Sequence, residues 1–172
     1  LFTAVMDASM IGIALPSISK DFSLDLSSAA WISLVSTITV VAVLLPMGNI
    51  SDRLGRKKIY LLGVIVTAIG SLLCSFSNEI FSLLISRIIV AISAAMRMST
   101  GLAMVMMIFK DKERGKGLGA NTTTVGLAAI TGPIFGGLLV GSFGWESIFI
   151  TQAFLSIPAF ILGYIFLDKA IV

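Results

Sequence analysis

Short charged clusters divide the chain into six apolar stretches, 1–19, 29–49, 59–76, 80–109, 118–143 and 147–167, and this spacing limits the fold more than any other feature. A helix of about 20 apolar residues crosses the hydrocarbon core of a bilayer. Backbone groups in lipid must be satisfied within the segment, which excludes an open sheet, and no strand-length alternation suggests a closed barrel. The reading is an all-α membrane protein, a bundle of six transmembrane helices. Only 12% of the 172 residues are charged and the mean hydropathy is +1.06. Soluble domains carry about a quarter charged residues, so that class is excluded. The sequence starts at Leu1 inside apolar residues, which reads as a trimmed chain, and no cleavable signal peptide is expected.

The chemistry available is narrow. Cys74 is the single cysteine and histidine is absent, so no intrachain disulfide, metal centre or imidazole proton shuttle is expected. No nucleophile, base and orienting group stand at usable spacing, so an enzyme is not expected. Neither is a cofactor or a nucleic-acid partner.

Basic residues set the expected orientation. Arg53, Arg56, Lys57 and Lys58 follow the second span, Lys110, Lys112, Arg114 and Lys116 the fourth, and Lys169 the last. The other side has only Lys20. The positive-inside rule then places both ends of the chain in the cytoplasm. Trp31 and Trp145 at one surface and Tyr60 and Tyr164 at the other are expected to be interfacial anchors.

Three ionisable residues fall inside the spans: Asp7 in the first, Arg87 and Arg97 in the fourth. A charge there costs roughly 3 kcal/mol or more unless it finds a partner or a watery cavity, and so marks a functional site. Helical rise puts Asp7 roughly 19 Å below the outer boundary, Arg87 roughly 12 Å and Arg97 roughly 27 Å. Either arginine can therefore pair with Asp7 if the first and fourth helices pack together. The alternatives are a register-fixing ion pair for Asp7 and an arginine snorkelling to the inner surface for Arg97.

The second turn reads Gly48-Asn49-Ile50-Ser51-Asp52-Arg53-Leu54-Gly55-Arg56-Lys57-Lys58. Its glycines suit a tight turn and close helix approach, and its basic cluster faces anionic lipid. An ordinary positive-inside hairpin has the same composition. In the fifth stretch, Gly132-Pro133-Ile134-Phe135-Gly136-Gly137 combines a proline bend with a small-xxx-small face for tight helix contact.

The spelling of these segments carries a resemblance. Gly-x-x-x-Asp-Arg-x-Gly-Arg-Lys between the second and third of six spans closely resembles the loop signature of the major facilitator superfamily. That implies a conformational latch in which Gly48, Asp52, Arg53, Gly55 and Arg56 take part. Gly132, Pro133, Gly136 and Gly137 resemble the superfamily's antiporter signature, with Ala128 replacing its leading glycine. Met6-Asp7-Ala8-Ser9-Met10-Ile11-Gly12-Ile13-Ala14-Leu15-Pro16 is similar to the first helix of the fourteen-span drug:proton antiporters. Arg87, Ala94 and Ala95 match the fourth-helix pattern, where Val90, Ala91 and Ser93 replace a Gln and two glycines; Arg97 has no counterpart there. Trp145-Glu146-Ser147-Ile148-Phe149 resembles the opening of the sixth helix.

The resemblance covers the whole chain and implies one amino-terminal half of a major facilitator fold, a 3+3 inverted repeat. The missing carboxy-terminal half, or a second copy of this chain, would be its partner within the bilayer. It further implies a multi-pass inner-membrane exporter of small hydrophobic or cationic compounds, coupled to protons at Asp7 and Arg87. Asp7 would be protonated when empty and deprotonated when a cation binds. Arg97, Asn121, Thr124, Gln152 and Phe154 are candidates for lining the substrate cavity, with Phe154, Met10 and Met98 as an adaptable apolar wall or, alternatively, as packing. An interhelical hydrogen bond is the alternative for Gln152, and Asn121 and Thr124 carry the same alternative. A symporter or exporter of another metabolite, or a non-transporting scaffold half, also remains open.

Overall fold

A computed structural model describes residues 2–108 and 113–171, as six helices and, among the described residues, no strand. They are α1 (Phe2–Asp21), α2 (Leu26–Leu54), α3 (Arg56–Ser75), α4 (Ile80–Ile108), α5 (Arg114–Phe143) and α6 (Glu146–Ile171). Each expected span falls on one helix, and all six are long and apolar enough to cross a membrane. Leu1, Phe109, Lys110, Lys112 and the Lys169 side chain lie outside what is described.

The second turn differs from expectation. Residues 50–54 and 56–58 are helical, so Gly55 alone joins α2 to α3, at φ 101° and ψ 124°. Only glycine occupies that region without strain, because a Cβ would crowd the backbone. Gly48 lies inside α2, where an added Cβ would meet nothing within 4 Å. The turning role therefore falls to one glycine, and Gly48 instead lies on an open face. Gly55→Ala is expected to cost at least about 1–2 kcal/mol, read as a lower melting temperature of the purified chain. An unchanged melting temperature would mean that the corner relaxes without strain.

The most extensive helix pairings are α3 with α4, α2 with α4, α1 with α5, and α3 with α6. Exchanging the first three helices with the last three turns α2/α4 into α5/α1 and α3/α6 into itself, as a 3+3 repeat requires, whereas the counterpart of α3/α4, α6/α1, is only a slight contact. Three of these four pairings, all but α2 with α4, rest on glycines at the contact. A Cβ on Gly132 would lie 2.7 Å from Ser9 Cβ, and one on Gly136 would lie 3.2 Å from Met10 Cγ, so α5 meets α1 through these two positions and Ala128. Gly70 approaches Val90 and Gly163 approaches the Tyr60 ring in the same way. Outward, the helices expose aliphatic and aromatic side chains such as Ile38, Val41, Leu45 and Phe135. The interior is itself largely apolar, around Met6, Met10, Ile18 and Phe149, and the few charged side chains within the spans are kept inside it, away from lipid.

Two aromatic expectations separate here. Trp31 is exposed, but Trp145 is buried, with its ring against Phe22 and Phe149 and its Nε1 donating to Asp21 Oδ2 at 2.7 Å. It pins the start of α6 to the end of α1 rather than anchoring at the lipid surface. The indole N–H found a carboxylate at the neighbouring helix end, which removes the need for interfacial water.

Candidate functional site: a buried ion pair between the first and fourth helices

Asp7 and Arg87 meet. Arg87 Nη1 donates to Asp7 Oδ1 at 3.0 Å and to Oδ2 at 2.9 Å, and both side chains are almost fully buried. Nε of Arg87 donates to Ser36 Oγ of α2 at 3.1 Å, and the guanidinium lies 5.8 Å from the centroid of the Phe149 ring of α6. Four helices thus converge on one charge pair. α1 and α4 are not among the closely packed helix pairs, so the arginine spans a gap that packed backbones would have closed. That gap is a cavity of about 370 Å³ whose walls include Asp7, Ser9, Ser36, Thr37, Arg87 and Met98. In it the Asp7 carboxyl group has a guanidinium partner.

The low-dielectric surroundings give the pair its leverage. Charge-assisted hydrogen bonds are about twice as strong as neutral ones, and removing one partner of a buried pair costs about 3–5 kcal/mol because a lone charge is left behind. A ligand that takes Asp7 from Arg87 must therefore replace the whole interaction.

Arg97 occupies a separate position. It is 3% exposed, its Nη1 donates to Thr3 Oγ1 at 2.5 Å, and its Nε lies 3.4 Å from the Ser93 carbonyl. Gln152, also buried, donates from Nε2 to the Thr3 carbonyl at 3.0 Å. The hydrogen-bond alternative for Gln152 is the one seen, and Thr3, which sequence reasoning passed over, joins α1 to both α4 and α6. Arg97 does not reach the surface, so it does not snorkel.

A second cavity of about 700 Å³ adjoins the first at Val5 and Met98 and extends along α2, α4 and α5 past Gly48, Asp52 and Asn121. Thr124 is half-buried, with its hydroxyl donating to the Ala120 carbonyl at 2.8 Å. Phe154 is 68% exposed and lines none of the cavities described, and Met10 is buried against Gly136. Met10 is therefore packing, the alternative held for it, and Phe154 stands on the exposed surface of these six helices. Met98 is the wall residue.

At the end of α2, Arg56 Nε and Nη2 each lie 2.9 Å from Asp52 Oδ1, while Nη1 reaches the Ala103 carbonyl at 3.4 Å and Met107 Sδ at 2.8 Å. The pair ties the α2–α3 corner to α4. Arg53 is exposed and makes no hydrogen bond among the described residues, so it stands outside this network. Lys57 reaches the Tyr164 carbonyl at 3.1 Å and lies over its ring at 4.8 Å, clasping α3 to α6. No grouping of side chains suited to hold a metal ion occurs among the described residues.

Known proteins resemble this arrangement. The family model described as the Major Facilitator Superfamily matches residues 1–170. The riboflavin transporter RibZ of Clostridioides difficile (strain 630) is 37% identical over 171 residues, which is 99% of this chain and 38% of that protein. The methylenomycin A resistance protein of Bacillus subtilis (strain 168) is 31% identical over 167 residues, 96% of this chain and 36% of that one. A crystal structure of a bacterial homolog to the human lysosomal transporter Spinster, inward-facing and unoccupied, superposes with a TM-score of 0.81 at 21% identity, covering 95% of this chain and 40% of that chain. The chain thus spans about two fifths of the length of these proteins.

Proposed function

The chain belongs to the major facilitator superfamily, and from that premise we propose that it is the amino-terminal half of a proton-coupled exporter of hydrophobic, often cationic compounds. The observation that carries this reading is the Asp7–Arg87 pair on the wall of a cavity between helices that do not close on each other. A second six-helix unit, either a carboxy-terminal half or another copy of this chain, completes the binding cavity and the alternating-access cycle. The transporter lies in the plasma membrane with both ends of this segment cytoplasmic, and protons serve as the coupling ion with no further cofactor.

In the cycle, three species compete for Asp7: Arg87, a proton and a cationic substrate. Arg87 holds the carboxylate at rest. A proton or a substrate releases the arginine, and only one of them occupies the site at a time, which is what exchange requires. The Gly132/Gly136 contact keeps α1, and so Asp7, in register with α5 while this happens. Asp52 and Arg56 stabilise one conformation from the cytoplasmic end.

Resemblance to drug-resistance proteins supports export, and the higher identity to a riboflavin transporter supports a second reading, a carrier of a planar heterocyclic metabolite in the same cavity. Inverted vesicles holding the complete transporter separate the two. Acidifying the vesicle interior should drive accumulation of a cationic dye, abolished by a protonophore. Riboflavin movement that ignores the pH gradient, with no dye accumulation, would replace the proposal with the second reading.

Asp52→Asn tests the latch. An exposed ion pair contributes at most about 1 kcal/mol, so transport should slow by about 2–5-fold while ligand affinity stays unchanged. An equal loss of ligand binding would make Asp52 a substrate contact.

A further inference from the structure

Three buried side chains among the described residues carry formal charge: Asp7, Arg87 and Arg97. Two cations share one anion, and the structure gives that anion to Arg87. Arg97 is left with neutral oxygens only, and its Nη2 is buried without a hydrogen-bond partner. A buried guanidinium normally has an anion and a partner for each N–H, so Arg97 is arranged for a contact this conformation does not make.

Its surroundings say which contact. The stem runs against α3, where a Cβ on Gly63 would lie 3.0 Å from Arg97 Cγ, and this directs the head across to α1. There it meets Thr3, which precedes Asp7 by four residues and so lies on the same helix face, about 5–6 Å away between Cβ atoms. A movement of α1 past α4 by about one turn, roughly 5.4 Å, replaces the Thr3 hydroxyl with the Asp7 carboxylate in front of Arg97. The same movement takes Asp7 away from Arg87, which lies ten residues earlier on α4.

We propose that Arg97 is a second, alternating partner of Asp7, receiving the carboxylate when Arg87 gives it up. This inference rests on the reading that Asp7 changes partner during transport. It makes Arg97 a positioning residue: the carboxylate passes between two guanidiniums at different depths, and each conformation has its own counterion. The unpartnered Nη2 of the resting state becomes a donor to Asp7 in the other.

Dicyclohexylcarbodiimide, a lipid-soluble reagent that adds to protonated carboxyl groups, reports whether Asp7 is held by a guanidinium. Modification of the Asp7 peptide is followed by mass in the purified protein, native and with Arg87→Gln, Arg97→Gln or both, after each variant is shown to melt cooperatively. The native protein and both single variants should label slowly, because one arginine substitutes for the other. The double variant should label at least ~10-fold faster. Arg87→Gln alone reaching the rate of the double variant would overturn the proposal, and so would a double variant as slow as Arg87→Gln. If Arg97→Gln prevents folding in the double variant, Arg97→Met keeps the stem against Gly63 and takes its place. Should concentrative transport survive Asp7→Asn, the transport reading fails, yet this labelling pattern is still decided on its own.

Discussion

Asp7→Asn is expected to abolish concentrative, proton-driven transport, a fall of at least ~100-fold, while the protein still reaches the membrane. Asparagine has nearly the shape of aspartate, so packing around Met6 and Met10 is kept. It can neither take a proton nor balance a cation, so the competition that couples the two is gone. The substitution also strands Arg87, whose buried charge then costs about 3–5 kcal/mol. A loss of stability would otherwise mimic a loss of coupling, and a second variant separates them. Adding Arg87→Gln to Asp7→Asn removes the orphaned charge, so the melting temperature should recover while transport remains absent. Recovery of both would show that the pair is a register-fixing bridge with no part in coupling.

The second large effect is steric. Gly132→Val places a branched side chain where even a Cβ would lie 2.7 Å from Ser9 Cβ and 3.3 Å from the Met6 carbonyl oxygen. These are backbone or near-backbone atoms of α1 and cannot turn aside as a long side chain would, so the helices must separate. Overpacking of this kind costs about 3 kcal/mol or more, and here it also moves Asp7, one residue beyond Met6. Gly137 is the control: a Cβ there meets nothing within 4 Å. Gly137→Val should leave melting within about 0.5 kcal/mol of native, whereas Gly132→Val should sharply reduce the yield of folded protein. Equal effects at both positions would contradict the α1–α5 contact described above.

The elements were legible because hydrophobic length alone specifies them: a run that crosses a bilayer has one way to satisfy its backbone. Asp7 and Arg87 stood out for the same reason, as charges where charge is expensive. Their pairing was not decided by sequence, since depth arithmetic placed Asp7 between Arg87 and Arg97, and the choice depends on how α1 and α4 sit beside α2. Thr3 and Ser36 were missed because a hydroxyl in an apolar helix normally bonds its own backbone, as Ser9 and Thr39 do; Ser36 does so too, at the Ile32 carbonyl, while its oxygen also accepts from Arg87. The signal for Thr3 was its position one turn before Asp7 on a shared face. Trp145 was misplaced because interfacial preference is a tendency of the ring, while burial was set by an acceptor, Asp21, that lies 124 residues away. Gly48 and Gly55 were indistinguishable by type; only backbone geometry assigns the corner to one of them.

The claim that proton and substrate exchange at Asp7 is tested most directly by following both fluxes together in proteoliposomes holding the complete transporter. Addition of a cationic dye on one side should move protons the opposite way in the native protein. In Asp7→Asn, dye should still exchange down its own gradient with no proton movement. Dye-dependent proton flux that persists in Asp7→Asn, or that is absent from a native protein still exchanging dye, would contradict the account.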